Sequence, residues 1–117
     1  MSHARTSASA VALPDGRVAV VGGHKPGRKP QSYRFHSSSE IFDPRTESWA
    51  ALDAVMSLPR ATCLVGLIGG ARPGSESLVV TGGWSGPFRH TTTGASSHSV
   101  LCRLLSLTHT DSRCVNY

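Results

Sequence analysis

The sequence predicts an all-β chain of short antiparallel strands, and three observations predict this class. Short β-branched runs, VAVV at 18–21 and LVV at 78–80, lead into glycine pairs, as strands that end in bends do. Asp15-Gly16 is one of the strongest short hairpin signals. The run DGRVAVVGG at 15–23 returns in weaker form as ESLVVTGG at 76–83, which indicates that one supersecondary unit is repeated.

The first hairpin is predicted around Asp15-Gly16. Because Asp and Gly tolerate positive φ, this dipeptide favours a type I′ turn between a strand within 8–13 and a strand at 18–21. Apolar residues at successive positions of the second strand predict burial on both of its faces. Gly22-Gly23 then predicts either a bend with a close backbone neighbour or simply the opening of a loop.

Two further strands are predicted after a long connection. Residues 24–39 are polar, basic and rich in Gly, Pro and Ser, which predicts an exposed loop. SEIFD at 39–43 alternates as a half-buried strand does, and 49–52 supplies another strand with Trp49 as its large apolar anchor. The result is a four-stranded antiparallel meander. Because loss of a buried aromatic side chain costs about 3 to 5 kcal/mol, Trp49→Ala is expected to be severe.

A second copy of the unit begins at residue 56. MSHAR at 1–5 and MSLPR at 56–60 lie 55 residues apart, whereas Gly23 and Gly83 lie 60 apart. The five extra residues are placed in GGARPGSES at 69–77, which has the composition of a longer hairpin loop.

The pattern ends at about residue 88. The last 30 residues contain no glycine pair, and 10 of them are Ser or Thr, which predicts an irregular tail. VLCRLLSL at 100–107 is the one concentrated apolar piece, and its period fits a short helix or a strand equally well.

Together, MSHAR, LPDGRVAVVGG, SSEIFDPRTESW and MSLPR resemble one complete kelch repeat followed by the onset of the next. The glycine pair, Asp43-Pro44, Trp49 and the Met/Arg pentads carry this resemblance, which covers residues 1 to about 86. The motif LPDGR also resembles the corresponding sequence in bacterial kelch proteins and in the propeller of galactose oxidase-like proteins. The resemblance implies a β-propeller of four-stranded blades whose loops bind partners.

The expected fold is therefore an incomplete kelch β-propeller. It has one four-stranded blade at 1–55, a partial second blade at 56–87 and an irregular Ser/Thr-rich tail at 88–117. A propeller closes with roughly four to eight blades, and each repeat must bury its face against neighbours. Three interpretations remain open: a fragment of a longer protein, a frame-shifted product with an unrelated tail, and a protomer that completes a ring by self-association.

Charge and cysteine usage bear on partners and compartment. The net charge of +5 comes from ten Arg and two Lys spread along the chain, which favours solubility over a dedicated nucleic-acid face. Three cysteines without a CxxC pair favour a reducing compartment. No apolar run has the length of a membrane span, and the N-terminus lacks the apolar core of a signal peptide. The expectation is a cytoplasmic protein without membrane contact.

No motif for catalysis, cofactor or metal is found. The glycine spacings match neither the dinucleotide fingerprint nor the P-loop, and 83–87 fails the nucleophile-elbow pattern at its last position. Four residues near the C-terminus lack the tight pairing of zinc ligands, and no copper ligand of a galactose oxidase-like centre can be carried over. Those four residues are His98, Cys102, His109 and Cys114. The chain is expected to be non-enzymatic, with no cofactor.

One local cluster of cations lies in HKPGRKPQSYR at 24–34. Two interpretations are open: a solvated loop between strands, and a contact site for an acidic partner or phosphates in which Tyr33 and Phe35 add stacking area. The residues of this predicted site are Lys25, Arg28, Lys29, Tyr33 and Arg34. Arg5 and Arg60 recur with the repeat, so a structural role, such as capping carbonyls, is expected for both.

The function expected from these features is non-catalytic protein–protein interaction. The chain is interpreted as part of a larger kelch propeller or adaptor protein, with an unidentified protein partner and with self-association as a further possibility. The alternative is a fragment of a kelch-type oxidase or carbohydrate-active protein. A weaker alternative is nucleic-acid binding driven by the net charge.

Overall fold

The computed structural model describes residues 1–29, 32–52, 56, 58–69 and 76–85, and the backbone of 100–103 and 114–116. Over these ranges the chain is all-β without a helix, so the predicted class is confirmed. The strands are β1 (Ser9–Ala12), β2 (Val18–Val21), β3 (His24–Pro26), β4 (Tyr33–Phe35), β5 (Ser39–Asp43), β6 (Ser48–Leu52), β7 (Leu64–Ile68), β8 (Ser77–Thr81), β9 (Val100–Arg103) and β10 (Cys114–Asn116).

The strands form three antiparallel sheets. Sheet 1 has the order β1-β2-β5-β6, which is the predicted four-stranded meander. Sheet 2 has the order β10-β9-β8-β7, and β3 pairs with β4 in a separate two-stranded hairpin. The prediction of a loop over the whole of 24–39 was wrong, because this connection contains the β3–β4 hairpin.

Sheet 2 gains two strands from the predicted irregular tail. β9 pairs with β8, and β10 pairs with β9 in a register that sets Cys114 opposite Cys102. At 114–116 the prediction of an irregular tail was wrong, whereas at 100–103 the structure has a strand, which is one of the two structures that the apolar run at 100–107 predicts. The edge of β8 has unpaired backbone groups that favour a further strand, and the apolar run VLCR provides it. The remainder of 86–117 and residues 70–75, where a hairpin loop was predicted, lie outside the described residues.

The turn between β1 and β2 differs in type from the prediction. Gly16 N–H donates to Leu13 C=O at 3.0 Å, and Leu13 N–H donates to Arg17 C=O at 2.7 Å. Positive φ occurs at Gly16 (89°) and not at Asp15. The hairpin is confirmed, but it uses a type I turn followed by a left-handed glycine, because Pro14 fixes its φ near the value that the first central position of that turn requires.

The core lies between sheets 1 and 2, which pack face to face. Ala19 and Val21 of β2 and Leu78 and Val80 of β8 are almost inaccessible to solvent, with 0 or 1% of their surface exposed. The alternate residues of β2 are only half-buried, so the predicted burial on both faces was wrong. The chain supplies two layers in its described part, and each sheet therefore buries one face.

The two glycine pairs have matching conformations. Gly22 and Gly23 have φ of 65° and 90°, and Gly82 and Gly83 have φ of 67° and 89°. A Cβ at Gly22 would collide with the backbone oxygen of Arg60, because the second repeat passes directly over this glycine. The predicted close approach of a neighbouring backbone is confirmed at the first pair.

Arg5 and Arg60 have the structural role expected from the repeat. Arg5 Nη1 donates to the carbonyl oxygens of Gly22 at 2.7 Å and Ser38 at 3.0 Å. Arg60 Nη1 donates to the carbonyl oxygen of Gly82 at 2.5 Å, so each arginine caps the first glycine of its own pair. Arg5 also forms a buried ion pair with Glu40 at 3.1 Å.

Glu40 makes the stability of the fold depend on acid pH. Burial alone would raise the pKa of Glu40, but hydrogen bonds from Ser2 and Arg5 outweigh it and lower the pKa from 4.5 to about 2. Since the folded chain holds the proton less tightly than the unfolded chain, stability from Glu40 is present above pH 4.5 and is lost as pH falls toward about 2. Urea unfolding between pH 6 and 2 should show this loss, and Glu40→Gln should flatten the profile.

Trp49 does not anchor the core. It lies on edge strand β6, keeps 36% of its surface exposed and contacts Phe42, with ring centroids 5.0 Å apart. The predicted burial of Trp49 was wrong, because this side chain points to the uncovered face of sheet 1. The full cost of losing a buried aromatic residue is no longer expected for Trp49→Ala.

Candidate interaction site

The five residues of the predicted site all lie on the β3–β4 hairpin or its connection. β3 and β4 are aligned so that His24 faces Phe35, Lys25 faces Arg34 and Pro26 faces Tyr33. Gly27 N–H donates to Ser32 C=O at 2.8 Å where the connection begins, and His36 N–H donates to Gly23 C=O at 2.9 Å at the base. Because side chains alternate along strands, the hairpin has one aromatic face and one cationic face.

The aromatic face fixes the hairpin to the rest of the molecule. The rings of His24, Tyr33 and Phe35 contact the Trp84 ring, with centroid distances of 5.9, 5.4 and 4.7 Å and edge-on geometry. Such geometry is favourable between aromatic rings. His24 and Trp84 were not predicted to belong to the site. Both directly follow a glycine pair, so the repeat itself was the signal that could have identified them.

The cationic face carries charges that no described residue neutralises. Lys25 and Arg34 stand directly opposite each other, where like charges destabilise a strand pair. Arg28 and Lys29 extend the charge into the exposed connection, and residues 24–35 contain neither Asp nor Glu. Among the described residues, none of these four cations has an ion pair.

The other described cations are engaged elsewhere. Arg5 pairs with Glu40, Arg17 with Asp15 and Arg45 with Asp43, and Arg60 is bound to backbone carbonyls. Within the described part of the chain, the uncompensated positive charge is therefore concentrated on the hairpin.

His36 lies at the base of the hairpin in the same positive field. Burial lowers the pKa of His36, and the charges of Arg5, His3 and Lys25 lower it further. A hydrogen bond with the Ala4 backbone raises the pKa but does not offset these effects. The Nε2 atom of His36 is buried and has no hydrogen-bond partner in the described ranges. His36 therefore contributes less positive charge at this end of the sheet than an ordinary histidine does.

The outer edge of β4 pairs with no other strand in the described part of the chain. Backbone hydrogen bonds join Gly23 to His36 and Gly27 to Ser32. Because hydrogen-bonded pairs alternate with non-bonded pairs in an antiparallel ladder, the backbone groups of Lys25 and Arg34 point into the hairpin. Those of Tyr33 and Phe35 point outward, and they have no backbone partner among the residues described. This edge can accept the backbone of an added extended segment.

A second candidate surface is the outward face of sheet 1. It carries seven apolar side chains that are half-buried or exposed, with Glu40 neutralised at one end by Arg5. These residues share a face because they are register partners along the four strands. They are Ala10, Ala12, Val18, Val20, Phe42, Trp49 and Ala51.

The outward face of sheet 2 is also apolar where its side chains are described. Leu64 and Ile68 of β7 expose 74% and 57% of their surface, and Val79 of β8 lies between them in the register. Large apolar side chains exposed together on a strand face are typical of interaction surfaces.

The two outward faces are related by the repeat. In β1 and β2, the outward positions correspond to the positions that sheet 2 buries in the core. Thus Ala10 corresponds to Val65, Val18 to Leu78 and Val20 to Val80. The outward face of sheet 1 is therefore the counterpart of the inward face of sheet 2, which already packs against a sheet.

Chemistry of other kinds is not assembled in the described ranges. There, no three residues of the His, Cys, Asp and Glu types come close enough together to hold a metal ion. Cys63 is a buried free thiol. His98 and His109 lie outside the described residues, as do the side chains of Cys102 and Cys114. In the same ranges no helix has the length and hydropathy needed to cross a membrane. The chain matches no protein-family model and no curated protein.

Proposed function

We propose that this chain is a non-catalytic protein-interaction module that works as part of an assembled, kelch-type β-propeller. Its two four-stranded sheets are blades, and further blades cover their outward faces. The observation that carries the proposal is the repeat relation between the outward face of sheet 1 and the inward face of sheet 2.

The repeat relation specifies how a second copy packs. Sheet 2 places Val65, Leu78 and Val80 on the inward face of sheet 1. A second copy presents Ala10, Val18 and Val20 at the corresponding positions of its own sheet 1, and these fit the outward face of sheet 2 of the first copy. This contact is head-to-tail, and a head-to-tail contact whose rotation closes generates a ring of copies.

Burial of the exposed apolar side chains drives the assembly. Fully burying a large aliphatic or aromatic side chain contributes about 1.5 to 3 kcal/mol, and Leu64, Ile68 and Trp49 each remain substantially exposed in a single copy. The two faces carry no unpaired charge among their described side chains, so little desolvation opposes the contact.

Two single substitutions test the head-to-tail arrangement. Trp49→Lys blocks the outward face of sheet 1, and Leu64→Lys blocks that of sheet 2. By light scattering, each variant alone should have the mass of one chain, and an equimolar mixture should form a two-chain complex, because one intact contact remains. Leu58→Lys is the matched control, since Leu58 is exposed but lies outside both sheets.

Other outcomes contradict this proposal. If one variant alone forms a dimer, like faces associate and the contact is not head-to-tail. If Leu58→Lys abolishes assembly as completely as the other two, association does not depend on the outward faces. Circular dichroism of each variant verifies that the β fold is retained.

A further inference from the structure

The β3–β4 hairpin is built to hold a second kind of partner, distinct from another copy of the chain. Its cationic face contains Lys25 and Arg34 in a directly opposed pair, and its outer edge exposes the backbone of Tyr33 and Phe35. Edge strands often carry one charged side chain, because a charge discourages aggregation. One charge on β4 would serve that purpose, whereas the hairpin and its connection carry four cations and no carboxylate.

We infer that the hairpin binds an extended acidic segment of a partner protein by adding it as a third strand beside β4. The outward N–H and C=O groups of Tyr33 and Phe35 supply the backbone hydrogen bonds. A residue of the added strand opposite Arg34 lies on the cationic face, within reach of Lys25, and takes a carboxylate side chain.

The register also specifies the residues flanking that carboxylate. They lie opposite Tyr33 and Phe35, on the face where these rings pack against Trp84. Tyr33 leaves 41% of its surface exposed there, so the flanking positions favour apolar or aromatic side chains. The recognised segment therefore alternates acidic and apolar residues.

A protein segment fits this surface better than a nucleic acid does. A nucleic-acid backbone is bound along a groove or stripe of cations. The other arginines whose side chains are described are bound to Glu40, Asp15, Asp43 or backbone carbonyls, so within the described part of the chain the free charge does not continue beyond the hairpin. In addition, the outward backbone groups of β4 can form hydrogen bonds with the backbone of an extended peptide.

Fluorescence anisotropy with a labelled peptide tests the inference. The probe alternates Glu and Val over about eight residues, a typical strand length. The full chain should bind it, and Lys25→Ala combined with Arg34→Ala should weaken binding at least about tenfold. Arg45→Ala is the matched control: it removes the same charge from an exposed arginine outside the hairpin and should change affinity less than about twofold.

Two further probes distinguish strand addition from simple charge attraction. N-methylation of every Glu, or of every Val, removes the N–H donors along one edge of the extended peptide. Only one of the two edges faces β4, so one methylated peptide should bind and the other should not. A peptide with Gln in place of Glu should bind weakly. Equal binding of both methylated peptides, or of the Gln peptide, would overturn the inference.

The remaining readouts separate this site from the assembly surface. Trp49→Lys should retain peptide binding, because Trp49 lies on sheet 1 and not on the hairpin. A single-stranded DNA oligonucleotide is the competing ligand. If it binds with the same dependence on Lys25 and Arg34 and the peptide does not, the partner is a nucleic acid and the inference is wrong.

Discussion

Arg5→Ala is expected to lower the free energy of unfolding by about 3 to 5 kcal/mol, because it leaves a buried carboxylate without its cation. The side chains of Arg5 and Glu40 are 1% and 3% exposed. The same guanidinium binds the carbonyl oxygens of Gly22 and Ser38 and the hydroxyl of Ser38, so three more acceptors lose a donor. Urea unfolding followed by circular dichroism measures the change.

Arg45→Ala is the control for the loss of an arginine. Its ion pair with Asp43 is longer, 3.5 Å, and the arginine side chain is 70% exposed. Surface pairs of this kind contribute about 1 kcal/mol or less. The combined change Arg5→Ala with Glu40→Ala should cost less than the sum of the two single changes, since both remove one interaction. A loss below about 1 kcal/mol for Arg5→Ala would contradict the structural role of this pair.

Gly22→Ala is expected to be the most damaging glycine substitution, and Gly82→Ala is its matched control. The two glycines correspond in the repeat and have nearly equal φ values of 65° and 67°, so both substitutions introduce the same left-handed strain. A Cβ at Gly22 meets the backbone oxygen of Arg60, whereas a Cβ at Gly82 has no atom of the described residues within 4 Å. Backbone cannot rotate away as a side chain does.

The difference between the two variants isolates this close contact. Left-handed strain alone costs about 1 to 2 kcal/mol in each variant. Gly22→Ala should cost about 1 to 3 kcal/mol more, the usual penalty of forced overpacking. Thermal unfolding under identical conditions gives the comparison. Equal losses would show that Arg60 does not pass over Gly22 as described.

Local chemistry predicted much of sheet 1 because its signals are strong. The β-branched residues at 18–21, the glycine after Asp15 and the alternation at 39–43 each favour one conformation. The turn type was missed because Pro14 restricts the backbone more strongly than Asp15 does. The apolar run at 100–107 fits a helix or a strand equally well, because its apolar residues have no period that separates the two, so β9 follows only from the structure.

Features that depend on tertiary context were not accessible from the sequence. The strand HKP has little strand propensity, and three residues of YRF are too few to identify a strand. Packing of Phe35 and His24 on Trp84 holds both strands in place. Trp49 was expected inside because of its size, but its position on edge strand β6 decides its exposure. The basic residues of the site were predicted, whereas the face that each occupies follows only from the register of β3 with β4.

Light scattering of the unmodified chain over a dilution series measures whether copies assemble through their outward faces. A chain that is β-rich by circular dichroism should form a defined oligomer that dissociates on dilution, because the outward faces of sheets 1 and 2 cover each other in neighbouring copies. A β-rich chain that has the mass of one copy at every concentration would contradict it.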